Sequence, residues 1–188
     1  SQGQILLSAC EKLGGLLPEA KIYLVGGALR EILVGGSAVD FDLEIFDCAS
    51  EKVQAALESL NLGPVHVCGR QYQVVKWCLQ GLPEPIDVTF AKGEESAAVA
   101  RRDFTVNALM WHLQEGRLLD LVGGLEDLQQ RKLAMVSEQS FVQDPLRVLR
   151  AAQFAARLGF TIDPQCESLC RRLVERGELD GLPGERLT

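Results

Sequence analysis

Between Phe41 and Phe46 the chain alternates apolar and acidic residues, Phe41-Asp42-Leu43-Glu44-Ile45-Phe46, a short way past the glycine pair Gly26-Gly27. Successive side chains of an extended chain leave on opposite faces, so this pattern fits a strand and not a helix. Upstream, Ile22-Tyr23-Leu24-Val25 is an apolar run stopped by the glycines, and Ala28 to Leu33 suits a short helix ending at Gly35-Gly36. A buried strand, a glycine turn, a helix and an acidic strand commit this part of the chain to a sheet with helices packed on it. Asp40-Phe41-Asp42 also carries chemistry. Read as one strand, Asp40 and Asp42 point one way with Cα atoms about 6.6 Å apart, at roughly 3.3 Å per residue. Two carboxylates at that reach can share a pair of Mg²⁺ ions, the arrangement used for in-line displacement at phosphorus. The same spacing is common in solvated turns, so it gains weight only from residues further along the chain.

Elsewhere the pattern predicts further elements. Ile5 to Leu17 reads as an amphipathic helix, and Ser50 as the N-cap of a helix through Leu60. Val65 to Cys68 and Tyr72 to Leu79 form a hairpin turning at Gly69-Arg70-Gln71, and Ile86 to Phe90 is the next strand. Arg102 to Trp111 reads as helical, Leu113 to Asp120 as a small hairpin around Glu115-Gly116. Val122-Gly123-Gly124 precedes a helix to about Arg131. Asp144 to Leu158 and Pro164 to Arg176 are helices with Gly159 and Gly177 near their ends. The fold class is α+β: a head with a mixed sheet over residues 1–137 and an all-helical neck over 138–188, with the boundary near Glu138.

Charge limits what such a chain does alone. Nineteen basic against 26 acidic residues leave a net charge of −7, whereas a self-sufficient RNA-binding domain carries a basic surface. Any grip on RNA must come from a local patch or from a part outside this chain. The six cysteines sit singly in apolar segments, without a C-x-x-C pair, and Cys166 and Cys170 at i, i+4 lack a partner histidine. They read as buried free thiols and not as a metal site. No apolar run reaches membrane-spanning length and no signal-peptide pattern opens the sequence, so the expectation is a soluble cytoplasmic protein with no membrane partner. His66 and His112 lie in apolar strands and read as packed, as do Trp77 and Trp111.

Three further stretches carry polar chemistry. Gly26-Gly27 lets backbone N–H groups approach an anion at a helix start, with Arg30 one turn in to hold a phosphate; an ordinary strand-to-helix turn with a solvated arginine explains the stretch as well. In Arg101-Arg102-Asp103, the aspartate can orient one guanidinium while the other faces a triphosphate or sugar; a structural ion pair is the alternative. Asp144, Arg147 and Arg150 recur at i, i+3 and i+6 along one helix face, with Pro145 in the first turn. They read either as a capping aspartate with solvated arginines or as a protein template for a base edge. In the second case the carboxylate accepts from an exocyclic amino group and the guanidinium donates to the adjacent ring nitrogen. Cytosine and adenine offer that pair, while guanine and uracil place a carbonyl against the carboxylate.

These stretches together resemble a known family. Val25-Gly26-Gly27-Ala28-Leu29-Arg30, Asp40-Phe41-Asp42, Arg101 to Ala108, Asp120 to Leu128 and Asp144-Pro145-Leu146-Arg147 occur in the order seen in class II tRNA nucleotidyltransferases. That group includes CCA-adding enzymes, their CC-adding and A-adding relatives, and bacterial poly(A) polymerases. Glu185-Arg186-Leu187 is similar to the start of the family's next helical motif. The resemblance implies a polymerase-β-like head and a helical neck. It further implies that Asp40 and Asp42 hold Mg²⁺, that Asp87 is the third catalytic carboxylate, and that Gly27 and Arg30 contact the triphosphate. Arg101, Arg102 and Asp103 correspond to a sugar- and phosphate-contacting motif, and Asp144 and Arg147 to the base readers, with Arg150 in support. The implied reaction is untemplated attack of a tRNA 3′-hydroxyl on CTP or ATP. Glu31, Gln143 and Gln153 depart from the family's usual aspartate, glutamate and third arginine. Only Ala91 to Ala100 separate Phe90 from Arg101, shorter than the loop usual in CCA-adding members, which favours CC addition. Poly(A) synthesis and a non-catalytic nucleotide-binding fragment are the alternatives; a glycosyltransferase using D-x-D leaves the arginines unexplained. The family continues beyond the neck with body and tail domains that grip tRNA, so the chain is expected to be a truncated head and neck.

Overall fold

The computed structural model describes residues 1–69 and 74–180. Arg70 and Gln71 of the expected hairpin turn, Tyr72, and the Glu185-Arg186-Leu187 stretch lie outside the described residues. Packing divides the chain into two units, Ser1–Glu94 with Leu109–Leu119, and Glu95–Ala108 with Asp120–Thr188.

The first unit is built on a seven-stranded sheet. Its elements are α1 (Gln2–Leu16), β1 (Lys21–Val25), α2 (Gly26–Leu33), β2 (Asp42–Phe46), α3 (Ser50–Leu60), β3 (Val65–Cys68), β4 (Val74–Trp77), β5 (Ile86–Ala91), β6 (Met110–His112) and β7 (Arg117–Leu119). The strand order is β3-β4-β5-β2-β1-β6-β7. Only β2 and β5 run parallel; the other neighbours are antiparallel. In β1 the consecutive residues Ile22, Tyr23, Leu24 and Val25 are all buried, so both faces of the sheet centre are covered. Each such large side chain contributes roughly 1.5–3 kcal/mol of transfer free energy. The same cover explains Glu44: alternation correctly signals a strand, yet Glu44 is buried because β2 lies at the middle of the sheet. Helix α1 turns Leu6, Ala9, Cys10 and Leu13 inward at helical spacing.

The second unit comprises α4 (Glu95–Ala100), a 3-10 turn at Thr105–Asn107, α5 (Gly124–Gln129), β8 (Lys132–Leu133), α6 (Glu138–Gln143), α7 (Leu146–Leu158), β9 (Thr161–Ile162) and α8 (Pro164–Glu175). β8 and β9 form a two-stranded parallel pair. Phe104, fully buried, packs edge-to-face on Phe141 and Phe154 with ring centroids 5.6 and 5.7 Å apart. That aromatic cluster ties the Glu95–Ala108 stretch to α6 and α7. The packing units therefore do not divide at Glu138, where the composition suggested a head–neck boundary.

Several expectations are corrected. Arg102 to Trp111 is not a helix: it holds the 3-10 turn and then strand β6, which pairs with β1 at Val25↔Met110. The expected hairpin around Glu115-Gly116 is present, but its first strand starts at Met110. The stretch expected to be an open loop contains α4, leaving only Lys92, Gly93 and Glu94 between β5 and that helix. Ser50 is the first residue of α3, with Ala49 in the N-cap position. His66 is exposed because β3 is an edge strand, whereas His112 is buried against Tyr23 with ring centroids 4.8 Å apart. Trp77 is fully buried and Trp111 half-buried. All six cysteines are free; Cys10 and Cys166 are buried, the others partly so. Among the described residues no helix is long and apolar enough to cross a membrane.

Candidate active site

The acidic seat sits at one end of the central strands in the first unit. Val25, the last residue of β1, pairs with Asp42, the first residue of β2. Asp42 in turn is in register with Asp87 of the parallel strand β5. Residues directly opposite on neighbouring strands project from the same face, so the two carboxylates stand side by side. The chain gains this pairing from the crossover between β2 and β5, which no local pattern displays. Asp40 is placed differently. It lies in a bend before β2, exposed, while Phe41 between the two aspartates is buried. The two aspartates of the D-x-D stretch are therefore not residues of one strand.

The glycine turn closes against this seat. Gly26 adopts φ +76°, and a Cβ built there would stand 2.8 Å from Asp42 Oδ2. A side chain would thus meet both a backbone penalty and the carboxylate itself. A Cβ on Gly27 would lie 3.5 Å from Arg30 Nη2. Arg30 is 2% exposed, with Nη2 3.8 Å from Glu31 Oε1. Its guanidinium is inside the fold at the turn, so of the two sequence readings the solvated arginine is excluded.

Sequence reasoning missed Lys76. Its Nζ lies 2.6 Å from Asp87 Oδ1, and the register pairs the two residues directly. The hydrogen bond to Asp87 raises the lysine pKa above its ordinary value, helped by the charges of Asp87 and Asp42 and opposed by desolvation. Alternation in β4, with Val75 and Trp77 buried, puts Lys76 on the opposite face, but its partner is a matter of register. Among the described residues no group of three His, Cys, Asp or Glu side chains is disposed to enclose a metal ion. The in-register pair Asp42 and Asp87 nonetheless offers the hard oxygen donors that a small divalent cation takes, so the donor chemistry fits.

In the second unit Asp103 is a hub. Its Oδ1 accepts from Phe104 N (2.7 Å) and Asn107 Nδ2 (3.1 Å). Its Oδ2 accepts from Arg150 Nε (2.9 Å) and Nη2 (2.6 Å). The guanidinium Asp103 orients is that of Arg150, which also lies 5.1 Å above the Phe154 ring centroid. Arg147 donates from Nη1 to the Arg102 carbonyl at 3.0 Å and from Nη2 to the Arg101 carbonyl. Two of its five N–H donors are thereby committed to backbone, fixing the plane of the guanidinium. Asp144 precedes α7 as the C-cap of α6, half-buried, and its carbonyl accepts from Arg147 N at 3.1 Å. Arg101 is exposed and Arg102 half-buried. Asp120, for which the residues alone suggested no role, accepts from Val122, Gly124 and Leu125 N–H groups and so caps α5. Asp127, buried, accepts from Thr105 Oγ1 and pairs with Lys132.

The fold and site together define an α+β head: a mixed sheet with a strand–glycine–helix turn and two in-register aspartates at one end of its central strands. Residues 93–134 match the family model described as the Poly A polymerase head domain. The Multifunctional CCA protein of Xanthomonas campestris pv. campestris (strain B100) is 37% identical over 185 residues, covering 89% of this chain and 43% of that protein. That of Xylella fastidiosa (strain M23) is 36% identical, covering 89% and 42%. Among solved structures, the Thermotoga maritima CCA-adding enzyme complexed with tRNA superposes with a TM-score of 0.87 at 30% identity, over 97% of this chain and 44% of that one. A CCA-adding enzyme in complex with ATP gives 0.88 at 31% identity, over 99% and 45%. The chain belongs to the class II tRNA nucleotidyltransferase family. It spans less than half the length of the curated relatives it matches.

Proposed function

We propose that this chain is the nucleotide-transferring portion of a tRNA 3′-end nucleotidyltransferase that adds C, A or both from CTP and ATP. The observation that carries the reading is the register Asp42↔Asp87 beside the Gly26 turn. Those two carboxylates, with Asp40 in the adjacent bend, would hold Mg²⁺. When bound, the ion supplies charge neutralisation at phosphoryl oxygens and a more acidic attacking hydroxyl. In the proposed reaction the RNA 3′-oxygen bonds to the α-phosphorus, the α–β bridging bond breaks, and pyrophosphate leaves. Gly27 keeps the turn backbone open to a triphosphate, and buried Arg30 holds that turn in shape with its positive charge beneath it. Arg101 and Arg102 contribute phosphate and sugar contacts.

Asp144 and Arg147 read the base edge. Arg147 is oriented by the Arg101 and Arg102 carbonyls before any base arrives, which lowers the ordering cost of recognition. Asp103 and Arg150 brace the Arg101–Arg102 stretch from which those carbonyls come. The short span from Ala91 to Ala100, between Phe90 and Arg101, supports CC addition over full CCA addition. The match to a Poly A polymerase head domain keeps poly(A) synthesis as the second reading. Incubation of the protein with Mg²⁺, tRNA lacking its 3′ end and each nucleotide separately decides among them. Incorporation from CTP alone marks CC addition, CTP followed by ATP marks CCA addition, and long ATP runs on unrelated RNA mark a poly(A) polymerase. No incorporation from any nucleotide, with binding indifferent to Mg²⁺, leaves only a nucleotide-binding module.

A further inference from the structure

Three charged side chains stand in one row across the sheet: Lys76 of β4 opposes Asp87 of β5, and Asp87 opposes Asp42 of β2. Being directly opposite, they share one face of the sheet. The lysine ammonium is 2.6 Å from Asp87 Oδ1, and the two side chains are 42% and 36% exposed. Water and ions therefore reach the pair, and neither partner is locked by burial. We propose that Lys76 is the internal counter-cation of the acidic seat: it occupies Asp87 when no metal is bound and competes with a divalent cation for that carboxylate. The inference rests on reading Asp42 and Asp87 as the metal seat.

A carboxylate oxygen engaged by an ammonium must lose that hydrogen bond to enter the coordination shell of a small cation at about 2.0–2.1 Å. The ammonium and the cation also repel, since both are positive within a few ångströms. A partly exposed ion pair is weak on its own, so the divalent ion can displace it. Lysine's flexible four-carbon stem lets the ammonium withdraw without backbone movement. Lys76 thus lowers cation affinity while giving the Asp87 carboxylate a counter-charge in the metal-free protein.

The test is Mn²⁺ binding, followed by the electron paramagnetic resonance signal of the free ion at fixed ionic strength. It compares the native chain, Lys76→Met, Lys76→Gln, Lys76→Arg and Asp42→Asn. We expect Lys76→Met and Lys76→Gln to bind Mn²⁺ about threefold to tenfold more tightly than the native chain, and Lys76→Arg to show no such gain. Affinity unchanged or weakened in both neutral variants, with Asp42→Asn still reducing native binding, would overturn the role of Lys76 and leave the seat intact. Native binding indifferent to Asp42→Asn would instead overturn the seat, and the inference with it. Because Lys76 is half-exposed, both neutral variants are expected to melt like the native chain, which circular dichroism verifies.

Discussion

At Gly26 a single methyl group is enough to disturb the seat. The residue sits at φ +76°, and its Cβ would come within 2.8 Å of Asp42 Oδ2. We predict that Gly26→Ala destabilises the chain by about 1–2 kcal/mol from the left-handed backbone alone. Because the carboxylate must also shift, Mn²⁺ affinity falls as well. Urea unfolding and metal titration measure the two effects separately. The thiols provide a second residue-scale outcome. Burial pushes the Cys10 thiol up to about 12. In α8 the Cys166 thiol donates to Cys170, which raises the first pKa and lowers the second, and Cys170 is the more accessible of the pair. A lowered pKa means thiolate at lower pH, and thiolate is the nucleophile. Under limiting iodoacetamide at neutral pH, Cys170 is therefore predicted to label well before Cys10 and Cys166, as peptide mass spectrometry reports.

The elements show where sequence patterns suffice and where they stop. Helices α1, α7 and α8 have long apolar stripes or clear caps, such as Asp163 accepting from Gln165 N, and are legible with bounds close to those found. Strand β6 is not: Met110-Trp111-His112 follows an apolar stretch with no alternation, and only pairing with β1 and β7 makes it extended. Helix α4 carries the alanine-rich Glu95-Ser96-Ala97-Ala98-Val99-Ala100, whose helix propensity outweighs the loop expected between Phe90 and Arg101. Ser137, whose hydroxyl accepts from Ser140 N, is the one local signal of α6, a helix absent from the sequence expectations. Asp120 accepts three backbone N–H groups at the entrance to α5. Asp120→Ala should cost about 1–2 kcal/mol, and Asp120→Asn less, in urea unfolding.

For the whole molecule, the candidate site residues are legible in the sequence, but their partners are not. Asp42 and Asp87 stand out as acidic strand residues; their register, and Lys76 beside them, depend on contacts far apart along the chain. Asp103 stands out as an orienting carboxylate; its choice of Arg150 depends on the Phe104, Phe141 and Phe154 cluster that draws Glu95–Ala108 to the helices. Net charge acts at this scale too. With a balance of −7, the chain by itself is predicted to bind tRNA weakly in a gel shift, and tight binding with a steep salt dependence would contradict that.

The proposed role of Asp42 and Asp87 is to hold the metal of a nucleotidyl transfer site. It is tested most directly by single-turnover transfer of labelled CMP from CTP to tRNA lacking its 3′ end, comparing the native protein with Asp42→Asn and Asp87→Asn in Mg²⁺. We predict a loss on the order of a hundredfold or more for each variant, with the fold retained. Transfer at the native rate by either folded variant would contradict the account.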